Sequence, residues 1–134
     1  MSTSPPSPDG QAKVVSITDV MAAPSEDRHG NCTKAVLHQS PASEASLFTV
    51  LPGQRLAAHS HTRNWDLFLA LSGEGEIRFK GPDGEGVAPM SPNGFCAMPP
   101  GHAHEVCNSR EDAPFSFLLI HAPWAGYDFI KAGV

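Results

Sequence analysis

The run HSHTRNWD, from His59 to Asp66, holds two histidines around one serine, with an aspartate five residues after the second. On a β-strand, residues i and i+2 share a face. His59 and His61 therefore project one way and Ser60 the other. Paired imidazoles are poor core filler, because each needs a hydrogen-bond partner or a metal. Their neutral nitrogens suit a first-row ion at about 2.0–2.2 Å. For HxH alone, an exposed strand with two solvated histidines is the plainer reading. A second cluster changes the balance: PPGHAHEVCN, from Pro99 to Asn108. Pro99 and Gly101 mark a tight turn, and alternation sets His104, Val106 and Asn108 on one face. A third histidine is thus delivered from a different hairpin.

The elements that must position these residues are short strands. Apolar or alternating runs fall at 33–40, 44–51, 55–61, 66–71, 76–80, 87–90, 95–98, 104–108 and 115–121. Between them stand turn signals such as Pro52-Gly53, Ser72-Gly73-Glu74-Gly75, Gly81-Pro82-Asp83-Gly84 and Pro99-Pro100-Gly101. Strands of 4–8 residues broken every 8–12 predict a sandwich or barrel. No three-turn helical pattern competes. Residues 1–12 are small, polar and proline-rich, which predicts a disordered tail. Val14, Val15 and Ile17 within 13–23 predict an edge strand or a lid on the main body. The stretch 24–31 reads as loop. The end, 123–134, reads as short helix or coil anchored by Trp124, Tyr127, Phe129 and Ile130.

Composition bounds the function. At 134 residues, one domain is expected, over 13–134. The formal net charge is −5 and no segment is rich in Lys and Arg, so nucleic acid and anionic membranes are not expected partners. Thirteen prolines and twelve glycines favour an all-β chain over a helical bundle. Cys32, Cys96 and Cys107 are an odd set without CxxC spacing, which argues against a disulfide framework. The first ten residues lack the cationic and apolar regions of a signal peptide, and no run of 18 apolar residues exists. A reduced, cytoplasmic protein is the default expectation.

The two histidine clusters resemble the motifs of the cupins, small double-stranded β-helix (jelly-roll) proteins. The first cupin motif is Gly, five residues, His-x-His, three or four residues, Glu, six residues, Gly. This chain has Gly53, five residues, His59-x-His61, four residues, Asp66, six residues, Gly73. Only the acid differs. The second motif ends in Pro-x-Gly, two residues, His, three residues, Asn. Here that is Pro99-x-Gly101, two residues, His104, three residues, Asn108, with Gly94 opening the motif a residue or so late. The resemblance covers about residues 33–122.

The resemblance implies an all-β cupin barrel with His59, His61 and His104 as metal ligands inside it. Asp66 stands where the family's ligating Glu usually stands. Its carboxylate reaches about 1.3–1.5 Å less far, whereas metal–ligand bonds tolerate about 0.2 Å. Asp66 therefore has several open roles: direct ligand, water-bridged partner, hydrogen-bond acceptor or general base beside a three-histidine site, or a group that only orients a loop. Such a donor set takes a divalent transition metal, Fe, Mn, Ni, Co or Zn, with poor discrimination. The resemblance further implies a small-molecule substrate, with a preference for Fe(II)-dependent dioxygenase chemistry on a chelating diketone or thiol. A metal-dependent isomerase or lyase on a sugar- or uronate-type substrate is the first alternative, and a non-catalytic sensor module the second. Cupins of this kind commonly dimerise through sheet faces, and Leu67, Leu69 and Leu71 are the candidate contact for a homodimer. His102 is expected at the turn or pocket rim, and His121 as a capped core histidine or a neighbour of the site. His29 and His38 carry no motif. Cys96 and Cys107 are expected as buried, inert thiols. Phe48, Phe68, Phe79, Phe115 and Phe117 are expected to line the barrel or pack its sheets.

Overall fold

A computed structural model describes residues 12–22, 26–27 and 32–132. One short helix, α1 (Ile17–Ala22), is followed by eleven strands among the described residues. These are β1 (Glu26–Asp27), β2 (Cys32–Gln39), β3 (Glu44–Val50), β4 (Arg55–Ser60), β5 (Trp65–Ser72), β6 (Gly75–Gly81), β7 (Gly84–Met90), β8 (Phe95–Met98), β9 (Ala103–Cys107), β10 (Phe115–Ala122) and β11 (Ile130–Lys131). The nine strands read from alternation and turn chemistry all form, with ends shifted by a few residues at most.

The strands form two antiparallel sheets, ordered β1-β2-β3-β10-β5-β8 and β11-β4-β9-β6-β7. Inward side chains from both sheets make one core, with Phe48, Phe68, Phe115 and Phe117 from the first and Leu56, Ile77 and Val106 from the second. Phe48 and Phe117 stack with centroids 5.5 Å apart, and Phe79 packs against the edge of this cluster. Gly73 is the turn glycine of the first motif. Its φ is +75°, and a Cβ there would lie 2.1 Å from the Pro114 carbonyl oxygen. Only a residue without a side chain fits both conditions.

Three segments differ from expectation. Within the 24–31 stretch read as loop, Glu26–Asp27 forms the short strand β1, paired with β2. Of the two readings of the 13–23 piece, edge strand or lid, the strand does not form: Ile17–Ala22 is a helix lying as a lid on the first sheet. Val20 is its buried residue, and with Val15 and Ile17 it packs on Ala35, Leu47, Leu71 and Leu118. Spacing by three residues, at Ile17 and Val20, lets a short helix bury one face on a sheet, which period-2 reasoning overlooks. Leu71, expected in a dimer contact, is therefore covered by the chain's own helix. The C-terminal segment is neither helix nor plain coil. It runs back along the second sheet and ends in β11, which pairs with β4. Residues 1–11 of the expected tail and His29 lie outside the described residues.

Candidate metal centre

Strand register builds the site. In the first sheet one row crosses five strands: Met98, Asp66, His121, Glu44 and Gln39. In the second sheet another row runs Lys131, His59, His104, Phe79 and Gly86. The buried members of the two rows, Met98, Asp66, His121 and Glu44 from one and His59 and His104 from the other, lie between the sheets, and His61 enters just past the end of β4. His59, His61, Asp66 and His104 are buried, and one donor atom from each lies within 4.8 Å of all the others.

The three imidazoles present the same atom. His59 Nδ1 is 2.8 Å from the Ala57 carbonyl oxygen, and His104 Nδ1 is 2.9 Å from that of His102. His61 Nδ1 is 2.6 Å from the carbonyl oxygen of Asp128. An Nδ1–H donated to a carbonyl turns Nε2 toward the cluster, where it would ligate a metal on losing its own proton. Nε2 of His104 and His61 lie 2.9 and 3.3 Å from one oxygen, Asp66 Oδ2. Around an ion with ~2.1 Å bonds, neighbouring octahedral donors stand about 3.0 Å apart, so these spacings match coordination edges. The buried His61 Nε2 has no protein hydrogen-bond partner. The cluster thus fits a divalent metal ion, which would supply the missing partner.

Asp66 is held facing the imidazoles by its other neighbours. Its other oxygen, Oδ1, accepts from Asn64 Nδ2 at 2.9 Å and faces His121 Nε2 at 3.5 Å. Burial alone raises a carboxylic acid's pKa, but contacts with His104 and His61 outweigh it and hold Asp66 well below the usual range. The acid is charged, as a ligand must be. Burial and the adjacent His104 push His59 down to about 4, leaving it neutral at physiological pH. For His61 burial works downward, yet the Asp66 carboxylate prevails and the value rises.

Beside this cluster lies a second polar group that the sequence reading only touched, at His121. His121 Nδ1 faces Glu44 Oε1 at 3.6 Å. Glu44, fully buried, also accepts from Lys34 at 2.9 Å and Gln39 at 2.7 Å. Burial works against its charge, but the nearby His121 and the hydrogen bonds from Lys34 and Gln39 bring its pKa down to about 2, while the buried His121 Nδ1 itself makes no hydrogen bond. A cavity of about 230 Å³ opens here, walled by Phe48, Leu56, Leu119 and Phe129, with Lys34, His59, His121 and Tyr127 as polar groups. Phe129 stacks on His59, centroids 4.6 Å apart, and the Tyr127 ring lies 4.9 Å from that of His61.

Glu44, Asn64, Lys34, Tyr127 and Asp128 are site neighbours that motif spacing does not reveal. Glu44 carried one signal, a charge opening an otherwise apolar strand. The remaining residues stand apart from the cluster. His102 sits half-buried at the turn and His38 is exposed. Asn108 is structural: its amide donates to the carbonyls of Val50 and Ala113. Cys32, Cys96 and Cys107 are free thiols, and burial pushes Cys107 up to about 11, so it is no nucleophile.

Comparison with known proteins agrees with this architecture. The family described as Cupin domain matches residues 46–121. Glucose-6-phosphate isomerases of Pyrococcus abyssi and Pyrococcus horikoshii are each 30% identical over 84% of this chain. The chain spans 58% of the length of these curated relatives. Among solved structures, an uncharacterized Klebsiella pneumoniae protein with a double-stranded beta-helix domain superposes with a TM-score of 0.72 at 24% identity, covering 91% of this chain and all of that one. KdgF from Halomonas sp. gives 0.66 at 16%, covering 77% of this chain and 90% of that one. Both sheets, both histidine motifs and the family match lead to one statement: this chain belongs to the cupin family.

Proposed function

We propose that this cupin is a metal-dependent isomerase that moves a proton between neighbouring carbons of a small hydroxy-carbonyl compound. The observation that carries the proposal is the buried Glu44–His121 pair set directly against the metal cluster and lining the cavity. His59, His61, Asp66 and His104 would hold the ion, which when bound supplies Lewis-acid polarisation of a substrate oxygen. His121 Nε2, on the cluster side of its ring, would take the proton from the carbon beside the carbonyl and return it to the former carbonyl carbon. The hydroxyl proton passes to the former carbonyl oxygen, so the reaction is redox-neutral and needs no co-substrate. Glu44, behind Nδ1, would support the imidazolium formed on the way, as a carboxylate behind a catalytic histidine does. Phe48, Leu56, Leu119 and Phe129 would exclude water.

The resemblance of four-fifths of the chain to glucose-6-phosphate isomerases supports this chemistry and points to sugar-type substrates. A three-histidine site with a doubtful acid would suit a dioxygenase; the closeness of Asp66 Oδ2 to two imidazoles, 2.9 and 3.3 Å, supports the isomerase reading instead. The test is solvent exchange: metal-loaded protein, a panel of hydroxy-aldehydes, hydroxy-ketones and their phosphates, and D₂O. The proposal expects deuterium on the carbon next to the carbonyl, lost in His121→Gln. No exchange, together with O₂ uptake by the Fe(II) form on diketones or thiols, would restore the oxygenase; neither activity would favour a sensor.

A further inference from the structure

The three histidines of the cluster are not oriented by equivalent means. His59 and His104 each lean on a carbonyl two residues back in their own segment. His61 has no such local support. Its Nδ1 is satisfied by Asp128, 67 residues away, in the C-terminal segment beyond the family match. That segment is pinned at the same point. The Asp128 carboxylate accepts from the Thr62 amide at 2.8 Å and from the Thr62 hydroxyl at 2.5 Å. Thr62 follows His61 directly, so one residue both clasps the neighbour of the ligand and orients the ligand's ring.

We propose that Asp128 is a positioning residue for the metal: its side chain clasps Thr62, which holds its main-chain carbonyl on His61 Nδ1 and so keeps Nε2 aimed at the ion. The proposal rests on the metal-site reading above. A carbonyl cannot be mutated away, but the clasp that places it can. Without it the 123–132 segment keeps the β11 pairing and the ring contacts of Tyr127 and Phe129, so the fold survives while the His61 ring gains freedom. Partners that orient metal-bound histidines are typically worth 10–100-fold in affinity.

The test is titration of metal-stripped protein with Co(II), read by affinity and by the visible absorption of the bound ion. The Asp128→Ala protein is expected to bind at least ten-fold more weakly, with an altered Co(II) spectrum. Asp128→Asn, whose amide can still pair with Thr62, is expected within about three-fold of wild type. Thr62→Val removes the hydroxyl half of the clasp by an independent route. It is expected to weaken binding less than Asp128→Ala, and to add nothing to it in the double variant. Wild-type affinity and spectrum in Asp128→Ala overturn the proposal while leaving the metal site intact. Should Asp128→Ala not fold, unchanged affinity in Thr62→Val overturns it. A wild type that takes up no metal overturns the site reading and this proposal with it.

Discussion

Asp66 is the one carboxylate of the candidate metal cluster. One oxygen faces two imidazoles and the other is held by Asn64, so the shorter acid is aimed rather than loose. Asp66→Asn removes the charge and is expected to weaken metal binding ten-fold or more, measured by competition with a chelating dye. Unchanged affinity with lost turnover would make Asp66 a base instead. Glu44 yields a second prediction at this scale. Its pKa is about 2 in the folded chain against 4.5 ordinarily. A depressed acid stabilises the fold above its unfolded value and loses that contribution as pH falls. The loss should run from about pH 5 down to 2 and amount to roughly 3 kcal/mol at 1.36 kcal/mol per unit. Glu44→Gln should flatten the acid limb of a stability-against-pH curve over that window. An unchanged limb would show that Glu44 is not held by its three partners.

Strands are where sequence and structure agree best, because alternation and turn residues report directly on the pleat. The 95–98 strand is found with the same ends, and Gly73 and Gly101 both take positive φ as turn glycines. His59, His61 and His104 converge as their motif spacing implied. What spacing cannot carry is register between distant strands. Glu44 meets His121, and His121 meets Asp66, only because β10 lies between β3 and β5. Asp128 reaches His61 only because β11 pairs back on β4. Helix α1 was missed since six residues are too few for a period to show. An element-scale prediction follows from Gly73. Ala there would take an unfavourable φ and press on Pro114, so Gly73→Ala should cost at least about 2 kcal/mol in urea unfolding. A cost below 0.5 kcal/mol, on the order of an ordinary surface change, would mean the turn can rearrange.

At the scale of the molecule, the outer face of β5 and β8 is the surface to explain. Trp65 and Phe95 are 44% and 64% exposed, and Phe95 pairs across from Leu69. With Leu67 beside them, these residues form an apolar stripe that α1 does not cover, in contrast to Leu71. Such a stripe next to an edge strand favours self-association. Light scattering should give about twice the 14.2 kDa chain mass, and Phe95→Lys should shift it to the monomer. A monomeric wild type would refute the dimer. No helix among the described residues is long and apolar enough to cross a membrane.

The central claim is that His59, His61, Asp66 and His104 hold one divalent ion. The most direct measurement is metal content by plasma spectrometry after the chain is stripped, reloaded with Zn(II) or Fe(II) and desalted, for wild type and His61→Ala side by side. The expected result is about one ion per chain in the wild type and a small fraction of that in His61→Ala, with both proteins equally folded by circular dichroism. A wild type that retains no ion, or a variant that retains as much, would contradict it.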